Sequence, residues 1–517
     1  MDEGRILVRI VLTVCLALGS AAEPLTAAYA DTQQTLQLFI SATDPSRQGF
    51  VRIINHSAEA GEVAISAYDD TGRKYGGSVV LSVDAYETVH FNSEDLELGN
   101  AAKGLSHPTG FGEGDWRLEL TSPLDVQALA YIRTPDGFLT SMHDVVPRSG
   151  TSHRVAIFNP GENTNQVSRL RLVSLGREAR VRISGIDDDG NPSVSTVEAI
   201  VPAGGARTFT ARQLESGEGD RAGGLGDGVG KWRLMVEADQ PTLASSLLES
   251  PTGHLTNLST APLNRLNGGF VVPYFPAAPG GDGLQGFVRV TNQGSGEVEV
   301  GIRAFDDTGV EYGPLALSVG ANQSVHFNSR DLERGAPGKG LSGNTGSGHG
   351  DWRLELESGE DLVVLAYSRT ADGFLTAMHD TVPESDGRHV VAIFNPGSNR
   401  NQESRLRLIN RDNEDAQVSI VGVDDQGGMP ATQVQISVPA RSARTVTAQR
   451  LENGGEGMRG ALGNGAGKWQ LTVTSDRPIL VMNLLASPTG HLTNLSTAWD
   501  SDGHSIGWNE RTSEGGL

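Results

Sequence analysis

The chain is poor in cysteine, with a single one at position 15 among 517 residues. Disulfides and thiolate metal sites therefore cannot hold the molecule together, and packed cores must do so. Aromatic residues are scarce as well, 5% of the chain, and basic residues number 41 against 63 acidic ones. The formal charge of −22 argues against a nucleic-acid surface, whose phosphates require clustered lysine and arginine. No run beyond the first thirty residues approaches the ~20 apolar positions that a spanning helix needs, so membrane insertion is not expected. Glycine is abundant, 66 of 517, against a usual share of ~7%. With 37% hydrophobic and 20% charged residues, this composition points to turn-rich β structure rather than disorder.

The N-terminus carries Arg5 and Arg9, the apolar stretch Ile10 to Leu18, and Ala28-Tyr29-Ala30 ahead of Asp31. This is the pattern of a secretory signal peptide over residues 1–30, with Asp2-Glu3 as its unusual feature. A secreted destination follows, whether extracellular, cell-surface or periplasmic. Val14 before Cys15 disfavours a lipid anchor, which wants a small residue there. Cleavage would leave a mature chain with no cysteine and a charge of −21 (39 basic, 60 acidic). Residues 499–517 are polar and Gly/Ser-rich and read as a disordered tail that includes Trp499 and Trp508.

Internal repetition dominates the rest. Asp-Asp-x-Gly occurs at Asp69-Asp70, Asp187-Asp188, Asp306-Asp307 and Asp424-Asp425, in steps of 118, 119 and 118 residues. Gly-x-Gly-x-Trp-x-Leu follows each time, at Trp116, Trp232, Trp352 and Trp469. Propeller blades and helical solenoid repeats are too short for this period, so the repeat is one domain. The copies alternate. The first and third carry Asp115 and Asp351 before the tryptophan, with His90-Phe91-Asn92 and His326-Phe327-Asn328. The second and fourth carry Lys231 and Lys468 and share the string SPTGHLTNLSTA from Ser250 and Ser487. The expected layout is repeat 1 over 36–148 (type A), repeat 2 over 152–262 (type B), repeat 3 over 270–384 (A) and repeat 4 over 388–498 (B), with the Asp/Lys difference near a junction.

Trp116, Leu118 and Leu120 share one parity while Arg117 and Glu119 share the other, the signature of a half-buried strand with its tryptophan inward. Each copy supplies about seven or eight such strands and one helical turn. Asn92, Thr210, Asn328 and Thr447 suit the N-caps of these turns, and a glycine seven residues on suits the stop. The predicted fold is all-β: four tandem immunoglobulin-like antiparallel β-sandwich domains in an A-B-A-B arrangement. On repeat length, strand pattern, core tryptophan and the Asn-Pro-Gly starts at Asn159 and Asn395, residues 36–498 resemble bacterial extracellular immunoglobulin-like modules, fibronectin-type or cell-adhesion-related. That resemblance implies adhesion, spacing or sugar binding and transfers no functional residue.

The paired carboxylates Asp69, Asp70, Asp187, Asp188, Asp306, Asp307, Asp424 and Asp425 are the metal candidates, since a hard cation such as calcium takes carboxylate and carbonyl oxygens. The preferred reading is a hairpin turn capped by aspartate, with glycine supplying positive φ. His254 and His491 lie in the identical strings and read as strand residues, with a polar ligand patch as the alternative. His143-Asp144 and His379-Asp380 invite a catalytic dyad, but no nucleophile elbow, mature cysteine or zinc-protease helix accompanies them, and no cofactor is expected. Gly223 to Gly228 precedes a strand instead of opening a helix, so it reads as a long mobile loop and not a phosphate cradle. The expected function is a secreted, non-catalytic adhesion, binding or spacer module whose partner is an extracellular protein or glycan. A carbohydrate-binding or enzyme-associated protein is the alternative.

Overall fold

A computed structural model describes residues 32–143, 149–219, 221–259, 269–278, 283–358, 361–430 and 432–496. Residues 1–30, where a signal peptide is expected, residues 499–517 with Trp499 and Trp508, and Asp144 lie outside these residues. The chain is all-β, with many antiparallel strands and a few helical turns of six residues or fewer. Among the described residues no helix is long and apolar enough to cross a membrane.

In the first repeat, one sheet runs Thr32–Phe39, Trp116–Ser122, Gly61–Asp69, Lys74–Val83, and the other runs Thr88–Asn92, Gln48–Asn55, Val126–Arg133, Leu139–Ser141. Their inward residues meet in one core that includes Leu36, Val51, Ile65, Trp116, Leu118 and Ala130. The third and fourth repeats build two sheets in the same order. In the second, the 18-residue strand Trp232–Glu249 runs through both layers and merges them into one seven-stranded sheet. Each repeat has its own buried core, and all four repeat tryptophans are sealed inside.

Two features of the tryptophan motif follow from this packing. The first glycine lies under the indole: a Cβ on Gly112 would stand 2.6 Å from the Trp116 ring, and Gly228, Gly348 and Gly465 are equivalent. The second, Gly114 and its counterparts, has φ near +80° and faces the carboxylate of Asp70 at a distance that leaves no room for a side chain. The helical turns cap as expected. Asn92, Thr210 and Asn328 form reciprocal capping boxes, while Thr447 faces Arg450 and caps in one direction only. The terminating glycines all have positive φ, but only Gly217 has the full left-handed geometry.

The Gly223–Gly228 segment differs from the expectation of a mobile loop. Leu225 is completely buried, its N–H donates to the Leu214 carbonyl, and Ala222 exchanges backbone bonds with Glu198. A single inward leucine ties the glycines down at both ends.

The repeats are not strung out in a line. Each Asp-Asp-x-Gly turn inserts against the next repeat, and the fourth inserts against the first. The second aspartate of each pair meets an arginine from the centre of a neighbouring strand: Asp70–Arg171 at 2.6 Å, Asp188–Arg289 at 2.5 Å, Asp307–Arg407 at 2.6 Å and Asp425–Arg52 at 2.6 Å. Beside each pair a backbone N–H of the next repeat donates to that aspartate's carbonyl, from Ala206, Ser324, Ala443 and Thr88 respectively. Four successive contacts of one kind, the last returning to the start, close the chain into a ring. Apolar clusters reinforce it: Phe50, Leu129 and Tyr131 pack with Ile393 and Leu485, and Ile157 and Leu248 with Leu365 and Tyr367.

Candidate functional site

The eight aspartates singled out by the repeat divide their work. In the first repeat, Asp69 Oδ1 accepts hydrogen bonds from the Thr71 N–H and hydroxyl and the Arg73 N–H, and its Oδ2 accepts from the Glu113 N–H. Burial would raise its pKa, but these donors outweigh it and hold the carboxyl below the usual range. Asp187, Asp306 and Asp424 cap their turns through the same oxygens. The second aspartates use Oδ2 to accept the backbone N–H of Asp115, Lys231, Asp351 and Lys468, and Oδ1 to meet the arginine. The donor set around them therefore fits a guanidinium and backbone amides. A hard cation would have to displace these donors to gather its ~6 to 8 oxygens.

The arginines carry no sequence flag. Each lies in a strand such as Gln48–Asn55, between inward-facing Val51 and Ile53, and so occupies the face that alternation assigns to solvent. The neighbouring repeat covers that face, and Arg52, Arg171, Arg289 and Arg407 are all buried. A second set of residues also escaped the sequence: Glu97, Glu215, Glu333 and Glu452 accept the indole N–H of the four tryptophans at 2.6, 2.9, 3.1 and 2.9 Å. Each directly follows the leucine that pins the helical turn, a Leu-Glu pair repeated four times.

The two histidine strings meet. Ser250–His254 and Ser487–His491 form tight turns closed by a Ser N–H to His carbonyl bond of 2.9 Å, and Thr134–Phe138 and Thr370–Phe374 form the same turn with bonds of 3.0 Å. The ring brings all four together. Phe138 and Phe374 stand edge to face at 4.8 Å between centroids, and His254 and His491 at 4.7 Å. Each histidine lies against a phenylalanine, at 4.8 and 4.9 Å. Residues 116, 120 and 117 positions apart thus alternate Phe, His, Phe, His along the chain and meet at one centre.

At this centre His254 Nε2 lies 3.3 Å from Asp136 Oδ2, and His491 Nε2 lies 3.0 Å from Asp372 Oδ2. One atom each from Asp136, His254 and His491 fall within 4.8 Å of one another. Threonines orient all four side chains: Thr134 and Thr370 donate to the carboxylates, and Thr252 and Thr489 contact Nδ1 of the histidines at 3.3 and 2.8 Å. Burial and the adjacent His491 hold His254 below the ordinary imidazole range, although Asp136 and Asp372 pull the other way. For Asp136 burial acts upward, and the Thr134 bond and His254 more than compensate, so its carboxyl sits low. The same turns line a cavity of about 760 Å³.

Sequence reading placed His254 and His491 on strands and passed over Asp136 and Asp372. The signal was present in the alignment of turns, where Asp136 and Asp372 take the places of Thr252 and Thr489, and Phe138 and Phe374 those of the histidines. The histidines of the suspected dyads are elsewhere. His143 and His379 are buried against the strands Val126–Arg133 and Leu362–Arg369, where they contact Ala130 and Ala366 of the backbone.

No family model matches the chain, and no curated protein sequence matches it. Among solved structures it is similar to an anti-sigma factor domain-containing protein, at 9% identity over 71% of this chain and 92% of that chain, with a TM-score of 0.13. A glycoside hydrolase family 32 structure from Bifidobacterium adolescentis is similar at 10% identity, covering 87% and 99%, with a TM-score of 0.15. A tetra-tandem repeat from the extending region of a large adhesion protein is similar at 12% identity, covering 91% and 100%, with a TM-score of 0.11. Scores of this size describe no common overall arrangement.

Proposed function

We propose that the chain is a secreted, non-catalytic binding protein, built as four immunoglobulin-like sandwiches of alternating A and B type, that engages an extracellular protein or glycan. The observation that carries this reading is the fourfold Asp–Arg clasp, because its return from Asp425 to Arg52 turns four sandwiches into one rigid body. Closure removes the length that an extended spacer would exploit and favours presentation of a fixed surface. Pre-organisation of this kind lowers the ordering cost of binding, and repetition of loops around a ring multiplies weak contacts.

The test is a glycan array and a cell-surface pull-down with the mature protein, residues 31–517. Saturable capture of a surface protein supports adhesion. Saturable binding to a polysaccharide selects the carbohydrate-binding alternative, and turnover of any glycan offered overturns the non-catalytic reading.

A further inference from the structure

We propose that Asp136, His254 and His491, with Asp372 as the fourth ligand, form a site for one divalent transition-metal ion of the zinc class at the centre of the ring. Two imidazole nitrogens and two carboxylate oxygens form a donor set that zinc accepts, with Zn–N near 2.0–2.1 Å and Zn–O near 2.0–2.2 Å. Such bonds place neighbouring ligand atoms of a tetrahedron ~3.3 Å apart. The two His–Asp separations are 3.3 and 3.0 Å, and the spread across Asp136, His254 and His491 is 4.8 Å at most. Asp136, His254 and His491 would draw together by up to ~1.5 Å to reach that spacing, and Asp372, held to His491, would complete the shell. Imidazole disfavours calcium and magnesium, which take oxygen, and selects the later first-row ions.

Three further observations point the same way. Each ligand is steered by its own threonine, the outer-shell arrangement that fixes ring orientation in metal sites. Among the described residues the two carboxylates have no lysine or arginine partner, and the side chains that face them within ion-pair distance are the two imidazoles. The cavity lined by the four turns gives an ion an entry path. The asymmetry is also telling. An axis lined by four phenylalanines or four histidines would suffice for packing, whereas here each repeat type contributes a different half of a ligand set.

The repeats themselves supply variants that keep the turns intact. His254→Phe and His491→Phe install the residue found at the matching turn position, and Asp136→Thr and Asp372→Thr do the same for the carboxylates. Mature protein is stripped with chelator and titrated with Zn2+ by calorimetry and with Co2+ by visible absorption. The expected result is one ion per chain, a four-coordinate Co2+ spectrum, a higher melting temperature with Zn2+, and loss of all three in the double histidine variant. Thr489→Val should weaken binding by ~10- to 100-fold, the usual outer-shell effect. Absence of uptake by the unsubstituted protein at ~100 μM ion overturns the proposal, being far weaker than built zinc sites. Uptake retained by a folded His254→Phe/His491→Phe variant, verified by circular dichroism, overturns it equally.

Discussion

The four junctions of the ring share one clasp but balance it in two ways. Where the first repeat meets the second, and the third meets the fourth, the residue before the tryptophan is Asp115 or Asp351, and a second carboxylate stands close to the buried arginine. Where the second meets the third, and the fourth meets the first, that residue is Lys231 or Lys468, and a second cation stands there instead. The clasping aspartates respond in their burial. Asp70 and Asp307 are 30% and 29% exposed, but Asp188 and Asp425 only 12% and 11%. The strand partner of the arginine changes too. Arg52 and Arg289 face His90 and His326, whereas Arg171 and Arg407 face Thr208 and Thr445. The lysine junctions thus ask one buried carboxylate to neutralise two cations.

The largest effect should come from removing that carboxylate. Asp188→Asn or Asp425→Asn leaves a buried arginine and a lysine unpaired, a loss of about 3–5 kcal/mol by the usual cost of breaking a buried pair. Asp70→Asn leaves Asp115 beside Arg171 as a substitute partner, and the loss should fall to about 1–2 kcal/mol for a replaced charged hydrogen bond. Urea unfolding of the three variants measures the difference. Equal losses would show that the two junction types do not differ in strength.

Acid should discriminate next. Burial, then Lys468, depress His90 to about 4, and burial with Lys231 does the same to His326. Asp425, Arg52 and Lys103 complete the charges around the first, and Asp188, Arg289 and Lys339 those around the second. Between about pH 6.5 and 4 the unfolded chain therefore binds protons that the folded chain refuses, so stability contributed by these histidines is lost as pH falls through that window. Asp115 runs the opposite way. Burial raises its carboxyl, with Asp70 adding to the effect and Arg171 opposing it, so its junction gains as pH falls. Hydrogen exchange at pH 4.5 should show the lysine junctions opening first, and His90→Thr should suppress that opening where the fourth repeat meets the first. Uniform opening at all four junctions would refute the comparison.

These distinctions explain what the sequence could and could not disclose. The 118-residue period, the all-β character, the inward tryptophans and the capped turns all rest on local patterns within one copy, where alternation and capping act over a few residues. Closure of the ring does not. Arg52 reads as a solvent-facing residue until the fourth repeat covers it, and Arg117, expected outside, is buried because its guanidinium reaches the Gly204 carbonyl of the second repeat. Asp136 and His254 meet only because two turns from different repeats converge, a contact for which one strand's periodicity holds no trace.

A smaller effect isolates the lysine itself. Lys468 is depressed to about 8, chiefly by burial and then by Arg52, while Asp425 opposes the shift. Its ammonium lies over the Phe50 ring, 5.4 Å from the centroid. Lys468→Met sets an apolar side chain against that ring and removes the crowded charge, so it should stabilise the ring of repeats by ~1 kcal/mol at pH 7, as replacements of buried charges by apolar groups often do. The gain should shrink as pH rises from about 8 to 10.5, where the wild-type lysine is already neutral in the fold and becomes so in the unfolded chain. A destabilised Lys468→Met protein at pH 7 would mean that the lysine supports its junction.

The smallest expected effect is that of calcium on the clasps, and it bears on both junction types at once. If any Asp-Asp-x-Gly turn can take the ion, it is at an aspartate junction, where Asp70 and Asp115 supply carboxylates around one arginine. At a lysine junction Lys231 or Lys468 repels it. Yet Asp70 Oδ2 already accepts the Asp115 N–H, its Oδ1 holds Arg171, and Asp115 Oδ1 accepts the Ser41 N–H at 3.1 Å. Each coordinated oxygen would be bought by releasing one of these donors inside a junction, so calcium and chelator should give superimposable melts. A calcium-dependent rise that survives Asp188→Asn but not Asp70→Asn would place a cation at the aspartate junctions and make them sites as well as seams.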